Sequence, residues 1–300
     1  MSHLHVGLFS QPGGGKSTIG LSFPGIEQHI FGSSEELTAK NFIGRTDILP
    51  PLKLDWMDFL KPEEKEIVVG ASKNPQIQAL TDIELEKKIK TIQEIATCRK
   101  VIRYRHYILK LKDDLKHGNR PDLKTVFLDN ATPFFDDFTD YLKICRNNEF
   151  MTAQGNFDSI KFSIAYSKEV ADFLELFNSL ECHTVMSFHI KLAMDEENAA
   201  KSDFMKDSKE GKKYPKEWHA MIMGQAKYSL AGKFDYAFYL WTQEEPGKDN
   251  KFLAKLEADS ATVGIGKSRV QPFDNPREIP VPKGTFYKFL TDAIAKKYPA

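Results

Sequence analysis

Short apolar runs recur along the chain, each ended by glycine, proline or charge. Leu4-His5-Val6-Gly7-Leu8-Phe9 reads as a strand that stops at Ser10, and after a glycine-rich turn Ile19 to Phe23 reads as a short helix. Ile26-Glu27-Gln28-His29-Ile30-Phe31 predicts a second strand. Residues 41–80 carry Pro50-Pro51, Pro62 and Pro75, with one helix-like piece from Leu54 to Leu60. Between Thr81 and His117 two apolar stripes follow: Leu85, Ile89, Ile92 and Ala96, then Val101, Tyr104, Ile108, Leu111 and Leu115. Spacings of three and four predict amphipathic helix, with Thr81 or Asp82 as cap and Gly118-Asn119-Arg120-Pro121 as breaker.

The apolar run Thr125-Val126-Phe127-Leu128 has the continuity of a buried parallel strand and closes on Asp129. Helices are predicted over 131–146 and 160–180, both rich in inward-spaced Phe and Leu. Cys182 to Phe188 reads as a third core strand running into His189. Residues 195–218 are dense in mixed charge and predict a surface excursion. Phe234–Trp241 and Phe252–Glu257 predict two more strands joined by a polar turn over 244–250, and 284–298 predicts a closing helix. The expected fold is α/β in one domain over 1–300. It has a mostly parallel central sheet and a mainly helical insertion over 45–120.

Composition adds limits. Hydrophobic residues are 41% and aromatics 12%, with 22 Phe, which is ample material for a core. Lys+Arg and Asp+Glu are both 42, so global charge gives no sign of a polyanion partner. Cys98, Cys145 and Cys182 lack C-x-x-C spacing, which argues against a disulfide framework or zinc site and for a reducing compartment. The N-terminus lacks the features of a signal peptide, and no run of about 18 apolar residues is present to span a bilayer. A cytoplasmic protein without membrane contact is expected.

The chemistry concentrates where strands end. Gln11-Pro12-Gly13-Gly14-Gly15-Lys16-Ser17-Thr18 completes the pattern G-x-x-x-x-G-K-[ST] except at its first position, where Ser10 stands for Gly. Glycines let backbone N–H groups converge on phosphate oxygens without a Cβ in the way. In such a loop Lys16 reaches the β- and γ-phosphates and the Ser17 hydroxyl ligates Mg²⁺. Asp129 has the form of a Walker B acid that holds the metal through water, but Asn130 occupies the place where many AAA-type motors carry a catalytic Glu. Glu35 or Glu36 can orient the attacking water; equally, Ser33 or Ser34 can cap a helix there, with the acids favouring its dipole. His189 can contact a γ-phosphate and report its loss, or be a hydrogen-bonded histidine at a strand end. Arg99, Arg103, His106 and Lys110 form either a nucleic-acid-facing ridge or the solvated side of a helix.

With these pieces in order, the chain resembles the phage-type AAA/RecA-like P-loop nucleotide-binding proteins, which include single-domain recombinases assisting single-strand annealing. The resemblance is carried by Gln11 to Ser17, Val126-Phe127-Leu128-Asp129, Val185-Met186-Ser187-Phe188-His189, Gly232-Lys233-Phe234-Asp235-Tyr236 and Lys267-Ser268-Arg269. It implies a three-layer RecA-like core using ATP and Mg²⁺, with His189 as a sensor. It also implies a homo-oligomer in which Lys267 and Arg269 reach a neighbouring subunit's nucleotide. Lys16, Glu35 or Glu36, His189 and Arg269 would then serve catalysis, with Ser17 and Asp129 at the metal. The function so implied is a slow or DNA-stimulated ATPase assisting phage recombination on single-stranded DNA, in the host cytoplasm if the chain is phage-encoded. Two rivals stand beside it: a nucleotide-dependent switch or scaffold acting on proteins, and a small-molecule kinase. The kinase wants an Arg-rich lid, and residues 195–217 contain no Arg.

Overall fold

The apolar runs assemble into one mixed sheet. The computed structural model describes residues 3–31, 45–193, 217–223, 226–243, 251–257, 266–282 and 284–299. Its parallel core runs in the order β3 (Leu52–Leu54), β2 (Ile26–Phe31), β4 (Thr125–Asp129), β5 (His183–Ala193), β1 (His5–Ser10) and β7 (Tyr236–Gln243). Beyond β7 the sheet turns antiparallel with β8 (Lys251–Lys255) and β10 (Ile279–Pro280). β6 (Glu217–Ala220) pairs with the far end of β5, and β9 (Lys267–Ser268) with the start of β7.

Alternation along the strands sends side chains to two apolar layers, which makes an α/β fold with helices on both faces. On one face lie α1 (Lys16–Gly20) and α8 (Phe286–Lys297), whose Ile19, Phe286 and Leu290 cover Val6, Leu8, Phe127, Val185 and Phe238. On the other lie α4 (Asp82–Lys116), α5 (Ala131–Cys145) and α6 (Ser159–Asn178), over Phe9, Phe31, Val126, Leu128 and Phe188. Between β3 and α4 come a 3-10 turn at Trp56–Phe59 and two short helices, α2 (Pro62–Val68) and α3 (Pro75–Gln78), while α7 (Ala226–Ser229) follows β6. No described helix is long and apolar enough to cross a membrane.

The 45–120 segment divides differently from the expected insertion. Ile48 bridges to Ile26 and β3 pairs with β2, so residues 48–54 widen the sheet. Only the stretch after them is helical. Of the two caps the sequence offers, Thr81 and Asp82, the structure uses Thr81: its hydroxyl accepts from Glu84 N at 3.4 Å, and Glu84 Oε2 accepts from Thr81 N at 2.9 Å. The 35 residues of α4 make a rod about 52 Å long. Because α4 leads into the start of β4, it runs against the parallel strands. Tyr104 packs on Phe31, the last residue of β2, with ring centroids 4.9 Å apart. The α4 residues before Lys100 therefore continue past the strand ends for about 27 Å at 1.5 Å per residue. α5 runs antiparallel alongside, through Tyr104–Phe134 and the Lys100–Asp137 ion pair at 2.6 Å.

The link between α4 and the sheet is polar as well as apolar. Glu27 Oε1 accepts from Tyr107 Oη at 2.5 Å and His29 Nε2 at 2.8 Å, and Glu27 Oε2 accepts from Arg120 at 2.7 Å. Burial alone would raise the Glu27 carboxyl, but the hydrogen bonds from His29, Tyr107 and Arg120 bring it down to about 2. Burial pushes His29 down, so the imidazole is neutral and Nδ1 accepts from Tyr104 Oη at 2.8 Å.

Phe134 is fully buried among Phe31, Tyr104, Phe138 and Phe173. Truncating it to Ala is expected to cost about 3–5 kcal/mol in urea unfolding. A loss no larger than that of a surface substitution would contradict this packing.

Candidate functional site

The strand order creates a place where connections part. From β1 the chain leaves toward β2 on one side; from β5 it passes through β6 to β7 on the other. In open α/β sheets such a reversal opens a crevice at the carboxyl ends of the strands. Ser10 and His189 are register partners at that edge.

The turn after Ser10 is built on left-handed glycines, Gly13 at φ 79° and Gly15 at φ 81°, a conformation L side chains rarely adopt. A Cβ on Gly15 would also lie 2.8 Å from the Phe252 ring, so the turn needs glycine there on two grounds. The turn delivers Lys16 back across the end of β1. Its Nζ donates to Ser10 Oγ at 2.9 Å, Gln11 O at 3.0 Å and Ser10 O at 3.2 Å. His189 Nδ1 lies 3.2 Å from the same nitrogen. The three ammonium protons already have three oxygen acceptors, so Nδ1 stands as a fourth polar neighbour of Nζ. Lys16 is 6% exposed. Burial pulls its pKa down to about 8, and the charge of Asp129 works against that shift. His189 is also lowered, first by burial and then by Lys16.

Asp129 ends β4 on the same face of the sheet as Ser10. Its Oδ1 accepts from Ser187 Oγ at 2.6 Å and its Oδ2 from Gln28 Nε2 at 2.9 Å. The Asp129–Asn130 peptide is cis. Asn130 is the N-cap of α5, its side chain accepting from Thr132 N at 2.9 Å. Thr132 Oγ1 in turn accepts from His189 N at 3.0 Å, which fastens the end of β5 to the start of α5.

The structure brings Lys16, Ser17, Asp129 and His189 to one edge, with Ser17 next to Lys16 in α1. Glu35 and Glu36 lie outside the described residues, as does 194–216. Lys267 and Arg269 sit elsewhere, at the start of β7. There Arg269 pairs with Asp235 at 2.9 Å and Lys267 donates to Gly232 O at 2.8 Å. Within one chain they are at the opposite end of the strands from Lys16. On α4, Arg99 binds Glu64 at 2.6 Å and Arg103 lies over the Phe59 ring, so these two fasten the 56–68 segment to the rod.

Gln28 and Ser187 were not picked out by motif reading. Their signal is a buried polar side chain at the pleat position that shares a face with Asp129, where Ile26 of β2 and Val185 of β5 are apolar. The oxygens of Ser17 and Asp129 suit Mg²⁺, a hard cation that takes one or two protein ligands and completes its shell with phosphate and water. Among the described residues no group of three or more His, Cys, Asp or Glu forms a metal cage. No protein-family model matches the chain, and no curated protein does so.

The lowered Lys16 pKa fixes a sign. Between about 8 and the ordinary 10.5 the unfolded chain binds the Lys16 proton and the folded chain does not, so stability rises with pH across that window. Measured by urea unfolding against Lys16→Met, wild-type stability should gain on the variant from pH 7 to pH 10. An unchanged difference would contradict the burial of a charged Lys16.

Proposed function

We propose that this chain is a RecA-like P-loop ATPase that binds ATP and Mg²⁺ between the Gln11–Thr18 loop and the end of β4. The observation that carries the reading is the buried Lys16 ammonium at the strand-order reversal, held by carbonyls and His189 and coupled to Asp129. On binding, Lys16 exchanges the Ser10 and Gln11 oxygens for phosphate oxygens, a replacement that keeps the charge satisfied. Loop N–H groups meet the remaining phosphate oxygens. Ser17 and Asp129 hold the metal, which neutralises phosphate charge. His189, bonded to Lys16 through its ring and to Thr132 through its backbone, is placed to pass the state of the phosphate end to α5.

Asn130 is engaged as a helix cap, so water orientation falls to Glu35 or Glu36 and hydrolysis is slow. The cellular role we draw from the sequence resemblance is assistance to single-strand annealing in DNA recombination. The capping role of Asn130 favours a second reading, a nucleotide-dependent switch acting on protein partners.

Lys16→Ala should abolish ATP binding in calorimetry, and wild-type-like binding or turnover in that variant would sink the assignment. Turnover with and without single-stranded DNA, together with gel filtration in ATP, separates the two readings. Strand-stimulated turnover with ATP-dependent oligomers supports recombination; binding without DNA stimulation supports the switch.

A further inference from the structure

Resting on that reading, we infer that Gln28 and Ser187 are positioning residues that aim the Asp129 carboxylate at the nucleotide-bound Mg²⁺. Both residues follow an apolar neighbour on the same face, Ile26 in β2 and Val185 in β5. β4 lies between β2 and β5, and each neighbour contributes one polar side chain on the same face. Ser187 is fully buried, Gln28 is 8% exposed and Asp129 is 4% exposed. A buried donor left without an acceptor is destabilising, so what these side chains hold accounts for their place in the strands.

What they hold is both oxygens of one carboxylate, with Ser187 donating to Oδ1 at 2.6 Å and Gln28 to Oδ2 at 2.9 Å. Two donors from opposite sides fix rotation of the carboxylate about its own axis. Both donors are neutral, so neither cancels charge as an Arg or Lys partner would. Mg²⁺ demands near-octahedral geometry and is sensitive to the direction of its ligands, direct or through water. Hydrogen bonds that orient a metal ligand are worth about 10–100-fold in metal affinity. Lys16 Nζ, on the β1 side, binds Gln11 O and lies 3.2 Å from His189 Nδ1, while the Asp129 oxygens take the hydrogen bonds from Gln28 and Ser187.

The test is a Mg²⁺ titration of thermal stability in the presence of ATP, using wild type, Ser187→Ala and Gln28→Met, each also in an Asp129→Asn background. Both single variants should raise the Mg²⁺ concentration at half-maximal stabilisation by about tenfold. ATP affinity in EDTA should stay at the wild-type value. In the Asp129→Asn background neither substitution should shift the Mg²⁺ midpoint further, because the group they orient is gone. A residue with a merely structural role would lower melting equally in both backgrounds. If either variant fails to fold, the other decides. An unchanged Mg²⁺ midpoint in a folded variant, beside a wild type that responds to Mg²⁺, overturns the positioning role alone. A wild type stabilised by neither ATP nor Mg²⁺ overturns the ATP reading and this inference together.

Discussion

Burying the Lys16 ammonium costs free energy that only a fixed set of acceptors can offset, and the order of the strands supplies that set. β1 brings Ser10 O and Oγ, the turn brings Gln11 O, and β5 sets the His189 ring beside them with Nδ1 3.2 Å from Nζ. Asp129 adds an opposing charge from β4, one strand beyond β5. Each acceptor depends on a register: shift β5 by one residue against β1 and His189 turns to the other face, taking Ser187 with it. The left-handed Gly13 and Gly15 are needed for the chain to fold Lys16 back onto the strand it has just left. The apolar layers then hold the registers.

β2 joins this edge to the long rod. Gln28 faces Asp129, while Glu27 and His29, one residue to either side, face Tyr104, Tyr107 and Arg120. The same six-residue strand therefore touches the candidate metal ligand on one face and clamps α4 on the other. α4 and α5 continue past the strand ends on the side where Lys16 and Asp129 lie. β2 is therefore the element that α4 and the Asp129 carboxylate have in common.

The elements with strong period were legible in the sequence. The β1, β2 and β4 runs and the three long helices fall where apolar spacing predicts them, and α4 starts at one of its two candidate caps, Thr81. The 48–54 contribution to the sheet was not legible, because β3 has three residues and Pro50-Pro51 beside it reads as loop. Local pattern cannot show that a strand so short is held by pairing with β2. The basic ridge of α4 was legible as a pattern but not as a purpose, since only the fold shows Arg99 bound to Glu64. Site residues show the same division. The loop and Asp129 carry chemistry in their own sequence, whereas Gln28 and Ser187 acquire meaning only when β2 and β5 flank β4. A buried polar residue among apolar neighbours on one face of a strand marks such a place without saying what it holds.

The central claim is that the Gln11–Thr18 loop, the end of β4 and His189 form one phosphate site. Hydrogen–deuterium exchange with and without ATP and Mg²⁺ tests it most directly. Slowed exchange is expected in the loop and α1, with smaller protection around Asp129 to Thr132 and His189, and no change at the opposite edge near Lys124 and His183. Protection at that opposite edge with an unchanged loop would contradict it.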